Sequence, residues 1–238
     1  MCCIMCCETW PKASPLNFKG VIFDMDGLLL DTERLVVDCF EQSAAELDLP
    51  EMHGFALRLI GLRLDACKAI VKNALDSRVP LETFFYRWNG HIETAFSQGI
   101  PLKDGVVELL EHIAAIDLPC AVATSTNTGI AQKHLEMAGI APYFRTITGG
   151  EQVKHGKPAP EIYHRAAASI GLEAQECAAF EDSDPGATAA IMSGARTVQI
   201  PDINAPAPPM LKFGHVIAPN LLEGAQLIGL FTSDSMPI

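Results

Sequence analysis

Phe23-Asp24-Met25-Asp26-Gly27-Leu28-Leu29-Leu30-Asp31 is the stretch whose reading decides the fold. It follows the apolar run Val21-Ile22-Phe23, which stops at a charged residue as a buried strand does at its carboxyl end. Asp24 and Asp26 lie two apart, so on a continuing strand their side chains would share a face. Two carboxylates that close repel each other unless a cation, a proton or a basic side chain sits between them. A hard divalent metal with oxygen ligands is the simplest resolution. Gly27 lets the chain turn sharply and bring its backbone close to a ligand. Taken alone, the stretch reads equally well as an acidic strand end with a solvated turn.

Three further segments weigh against that blander reading. Cys120-Ala121-Val122-Ala123-Thr124 is an apolar strand closing on a hydroxyl, followed by Ser125-Thr126-Asn127. Gly156-Lys157-Pro158-Ala159-Pro160 sets a lysine just ahead of a helix, and Ala178-Ala179-Phe180-Glu181-Asp182-Ser183 ends a strand on an acidic pair, with Gly186 soon after. Together with an Asp-x-Asp-Gly-x-x-x-Asp motif matched at every fixed position, these segments resemble the four motifs of the haloacid dehalogenase (HAD) superfamily, in order. The branch it looks like carries a helical cap and includes β-phosphoglucomutases and sugar phosphatases.

The resemblance implies roles residue by residue. Asp24 would be the nucleophile and Asp26 the general acid and base, with Thr124 and Lys157 completing the catalytic set. Thr124, Ser125 and Lys157 would hold the phosphate. Magnesium would be bound by Asp24, Asp26 (through its backbone carbonyl), Asp182 and Glu181. Gly61-Leu62-Arg63 falls where related caps present a loop to the site, which makes Arg63 a candidate substrate contact. Asp31 is expected to support the turn or to cap the first cap helix.

Strand-like runs recur at 19–24, 119–124, 144–148, 176–181 and 196–200, with helical patterns between them. That alternation predicts an α/β fold, a Rossmann-like doubly wound parallel sheet covered on both faces. Between the first two strands the signals are helical instead. Leu35, Val36, Cys39, Phe40 and Leu47 line one stripe, and Leu64, Cys67, Val71 and Leu75 a second. Leu81, Phe84, Phe85, Trp88, Ile92 and Phe96 line a third. The expected organisation is a disordered tail over 1–17, an HAD core domain from 18–31 and 101–238, and an inserted α-helical cap domain over 32–100.

Composition narrows the function classes. The chain has 238 residues, 49% of them hydrophobic and 19% charged, which suits a well-buried globule. With 17 Lys and Arg against 29 Asp and Glu the net charge is -12, and there is no basic run to attract nucleic acid or an acidic membrane. No run approaches the ~18 consecutive apolar residues of a membrane span. Four of the eight cysteines form two pairs near the start, Cys2-Cys3 and Cys6-Cys7, and lack the spacing of a zinc site. The others fall in apolar patterns, so a reducing, cytoplasmic setting is expected.

Two departures separate reactions within the family. Dehalogenases carry a tyrosine and phosphonatases an alanine where this chain has Asp26, so an acid there argues for phosphate esters. Mutases of the β-phosphoglucomutase type carry a histidine where this chain has Val36. The expectation is therefore a magnesium-dependent phosphatase acting on a small phosphorylated metabolite, a sugar or sugar-like monophosphate, through an aspartyl-phosphate. A β-phosphoglucomutase-like isomerase is the alternative, and a monomer is favoured.

Overall fold

Six parallel strands form one sheet in the order β3-β2-β1-β4-β5-β6, seen in a computed structural model that describes residues 18–59 and 64–231. The strands are β1 (Gly20–Phe23), β2 (Cys120–Ala123), β3 (Thr146–Thr148), β4 (Cys177–Glu181), β5 (Arg196–Gln199) and β6 (Val216–Ile217). Phe23 pairs with Val122 on one side and with Phe180 on the other, so the motif residues after β1, β2 and β4 emerge at one level. The strand order reverses between β1 and β4. That reversal is a topological switch point, where the carboxyl ends of an open parallel sheet leave a crevice.

Period-two alternation sorts the strand side chains. Val21, Phe23, Cys120, Val122, Ala178 and Phe180 face a core completed by α4 (Val106–Ala115), α5 (Thr128–Met137) and α8 (Leu221–Leu227). Ile22, Ala121, Ala123, Cys177 and Ala179 face α6 (Glu161–Ser169) and α7 (Asp184–Ser193). Three of those five side chains are alanine, which lets the helices approach the sheet. Phe23 and Phe180 stack at 5.2 Å across the first face. The five predicted strands are all present; β6, with two residues, is too short to carry a periodic signal.

The helical stripes form a separate cluster. After β1 the chain runs into α1 (Thr32–Glu46), α2 (Leu64–Leu75) and α3 (Leu81–Ser97) before returning to α4. Phe40 lies at the centre, with Phe84 at 4.9 Å, Trp88 at 5.1 Å and Phe55 at 6.2 Å. Burying each such ring is worth about 1.5–3 kcal/mol, enough for this layer to hold a core of its own. The outgoing and returning chains lie side by side at the junction. Leu30 bridges Leu102 antiparallel, and Asp31 N–H donates to the Pro101 carbonyl at 2.9 Å.

Asp31 departs in part from expectation. It occupies the N-cap position of α1, yet its side chain accepts no cap hydrogen bond. Its carboxylate turns to Lys103 at 3.6 Å and Arg34 at 3.7 Å, supporting the junction instead. Cys39, Cys67, Cys120 and Cys177 are buried, and burial pushes the Cys120 thiol up to about 12 and Cys177 to about 11, far from the reactive thiolate. No helix among the described residues is long and apolar enough to cross a membrane. The expected tail at 1–17 and Arg63 lie outside the described residues.

Candidate active site

The site begins where β1 ends. Asp24 follows Phe23 directly and its N–H donates to the Phe180 carbonyl at 3.0 Å, which carries the sheet ladder one residue further and fixes the carboxylate beside β4. The chain then turns back at Gly27, whose φ of +79° lies in the left-handed region. A Cβ at Gly27 would also stand 2.5 Å from Asp182 Oδ2. Glycine is thus required twice, for the turn and for the approach to the neighbouring acid.

Asp24, Glu181 and Asp182 are all buried, and their ligand oxygens lie within 4.8 Å of one another. Lys157 is the cation among them, donating to Asp24 Oδ1 and to Glu181 Oε1, the latter at 2.5 Å. Glu181 is further satisfied by Tyr163 OH at 3.1 Å and by Asp182 N–H, Ser183 N–H and Ser183 Oγ, each at 3.0 Å. Room for that carboxylate exists because residue 186 is glycine; a Cβ there would overlap it.

The electrostatics follow from one lysine serving three buried acids. Burial disfavours the Glu181 carboxylate, but Lys157 and the Ser183 donors outweigh burial and hold its pKa below the ordinary value. Burial likewise opposes the Lys157 charge, and Asp24 and Glu181 overcome it and raise the lysine. Asp24 is left short of positive charge. Burial, with Glu181 and Asp26 adding to it, pushes Asp24 up to about 8 against the pull of Lys157. Asp182 is raised well above the carboxylate range by burial and by Glu181, Asp24 and Glu33. A hard cation with oxygen-only ligands would relieve Asp24 and Asp182 together, so these residues fit magnesium.

Asp26 is held differently. Thr32 Oγ1, at the start of α1, donates to one carboxylate oxygen at 2.9 Å, and Thr126 Oγ1 donates to the other at 2.8 Å. Thr124 is buried at the end of β2, and its hydroxyl accepts from Thr126 N–H at 3.0 Å. Ser125 is exposed beside it. Asn127 caps α5, accepting from Gly129 N–H at 3.0 Å. Asp24, Asp26, Thr124, Lys157, Glu181 and Asp182 therefore gather at the carboxyl ends of the central strands and the loops beyond them.

Residues 21–200 match the haloacid dehalogenase-like hydrolase family. The chain belongs to the haloacid dehalogenase-like hydrolases. A phosphorylated carbohydrates phosphatase of Thermotoga maritima is 32% identical over 180 residues, covering 76% of this chain and 83% of that protein. Hexitol phosphatase A of Escherichia coli K12 is 30% identical over 196 residues, covering 81% of this chain and 86% of that one. A HAD family hydrolase of Deinococcus radiodurans R1, solved with bound phosphate and sodium, superposes with a TM-score of 0.73 at 26% identity. That superposition covers 91% of this chain and 99% of the other.

Three residues of this HAD hydrolase's site escaped the sequence reading: Thr32, Thr126 and Tyr163. The two threonines stand within or next to the quoted motifs, and their value depends on which way their hydroxyls point. Tyr163 sits six positions after Lys157 on the buried face of α6, and in sequence it reads as core. Its hydroxyl reaches Glu181, and Lys157 Nζ stands 5.5 Å from the centre of its ring.

Proposed function

We propose that this HAD hydrolase is a magnesium-dependent phosphatase that hydrolyses a small phosphorylated metabolite in two steps. The observation that carries the reading is the convergence of Asp24, Glu181 and Asp182 on one lysine, with two of the acids left short of positive charge. The relatives named for phosphorylated carbohydrates and hexitols support a phosphomonoester substrate.

Asp24 attacks phosphorus, and the bond from phosphorus to the ester oxygen breaks, leaving an aspartyl-phosphate. Asp26, aimed by Thr32 and Thr126, gives its proton to the departing alkoxide. It then takes a proton from the water that attacks the aspartyl-phosphate, and inorganic phosphate leaves with Asp24 regenerated. Lys157 bridges nucleophile and phosphate as a fixed positive charge, and the amides after Thr124, together with Ser125, hold phosphate oxygens. A magnesium ion held by Asp24, the Asp26 carbonyl and Asp182 would neutralise charge on nucleophile and phosphate together. Glu181, saturated by five donors, serves better as the anchor of Lys157 than as a direct ligand.

Residues 18–31 and 101–238 are proposed as the core domain and 32–100 as a cap over the site. The separate aromatic core of α1 to α3 and the paired junction at Leu30 and Leu102 support that division. The absence of a histidine at Val36 favours hydrolysis over mutase chemistry. Phosphate release across a panel of phosphorylated metabolites, with magnesium and with EDTA, tests the proposal. Magnesium-dependent release is expected. Hexose phosphate interconversion without net phosphate release would overturn it in favour of the isomerase.

A further inference from the structure

Above the proposed acid Asp26 lies a cavity of about 440 Å³, bounded by α1 and α3 on one side and α5 on the other. The Asp26, Thr32 and Thr126 cluster forms part of its lining, so a group leaving from phosphorus toward the Asp26 proton would extend into it. The described walls are apolar: Val36, Val37, Leu59, Ile92, Phe96 and Ile130.

The polar atoms on those walls are few and largely engaged. Trp88 Nε1 donates to the Val36 carbonyl at 3.0 Å, and Cys67 Sγ to the Leu59 carbonyl at 3.6 Å. His134 packs edge-on against Phe96 at 4.7 Å between ring centres, and its Nδ1 is enclosed without a partner. Among the described residues that leaves the His134 imidazole and the Glu33 carboxylate to meet a hydroxyl beyond the Asp26 cluster. A sugar or hexitol would bring four or five hydroxyls into this space and strand most of them, and a buried polar group without a partner is costly. An apolar group would instead release water from those walls.

We propose that the alcohol released from the substrate ends in an aromatic or aliphatic group of about six to ten carbons, a size suited to a pocket of this volume, rather than in a polyol. The inference rests on the phosphatase reading above and narrows its substrate class. It departs from the polyol phosphates for which the relatives are named.

The test compares kcat/KM, with magnesium, for benzyl phosphate and n-hexyl phosphate against glucose 6-phosphate and sorbitol 6-phosphate. Methyl phosphate, too short to fill the cavity, serves as the reference. The benzyl and hexyl esters are expected to exceed both polyol esters by about tenfold or more, the scale on which hydrophobic pockets discriminate. Ile92→Asn should lower the benzyl to methyl ratio by about tenfold. Ile130→Asn, at a side chain already 48% exposed and therefore tolerant of the change, should lower it in the same direction. Polyol esters turned over as well as the apolar ones, or ratios unmoved in both variants, would overturn the inference and leave the phosphatase standing. No turnover of any ester, methyl phosphate included, would remove the phosphatase reading and this inference with it.

Discussion

At the carboxyl end of the sheet Glu181 accepts five hydrogen bonds and Asp26 two, whereas the wall above them offers the methyl and ring carbons of Val36, Ile92 and Phe96. The floor is set by what phosphate chemistry demands of any substrate: a nucleophile, an acid, a cation and fixed charge, each in one orientation. The wall is set by shape and by what it leaves unpaired, which bears on one substrate against another. Changes to the floor should therefore alter turnover of all esters alike, and changes to the wall should alter their ratio.

The largest effect is expected at the nucleophile. Asp24→Asn should lower kcat by about a thousandfold or more, since no covalent intermediate can form. In EDTA its thermal midpoint should match or exceed the wild type above pH 8. There the substitution removes one of three buried acids that crowd one lysine, an acid whose folded-state pKa of about 8 shows that its charge is disfavoured. Retained phosphate release would break the floor as drawn. Asp182→Ala comes next, with the half-saturating magnesium concentration raised about tenfold or more in titrations of phosphate release. A titration matching the wild type would remove Asp182 from the ligand set.

Thr126→Val tests whether floor and wall are separable. The residue touches both, lining the cavity and donating to Asp26 at 2.8 Å. If its work is to aim the acid, kcat should fall about tenfold for methyl and benzyl phosphates together, in line with the loss of one charge-assisted hydrogen bond. A fall confined to benzyl phosphate would reassign Thr126 to the wall.

How much of this was legible in the sequence follows the same division. Asp24 and Asp182 could be located because they directly follow strands whose apolar runs are unmistakable, and the ends of parallel strands meet at a switch point; Lys157 could be located only by its place just ahead of a helix. The helical layer of α1 to α3 was legible from the aromatic stripe of α3, since Phe84, Phe85 and Trp88 recur at helical spacing and are buried. What stayed hidden depended on direction rather than spacing. Asp31 sits where a cap should be but turns to Lys103, a partner 72 positions later along the chain. Tyr163 has the spacing of a core residue and is one, yet it carries a hydroxyl to Glu181. The apolar cavity draws on helices that sequence places 50 to 100 residues apart, and no local pattern reports what such helices leave empty between them.

Glu33 belongs to neither side and gives the smallest effect. It stands in the first turn of α1, lining both the cavity beneath α3 and a smaller one reaching Asp182 and Asp184. Burial, then Asp202 and Asp26, push its carboxyl up to about 7, only partly offset by Lys103. The folded protein then keeps a proton that the unfolded chain releases near pH 4.5, so Glu33 costs stability as pH rises from about 4.5 through 7, and no more beyond. Glu33→Gln cannot titrate, and the variant should gain on the wild type over that same window. In EDTA the gain at pH 8 should be a few degrees in Tm, about 1 kcal/mol once solvent screening of a partly exposed group is allowed for. At pH 5 it should nearly vanish. A gain of equal size at both pH values would point to packing of the amide rather than to charge, and a wild type more stable at pH 8 would mean that Lys103 outweighs burial and holds Glu33 ionised.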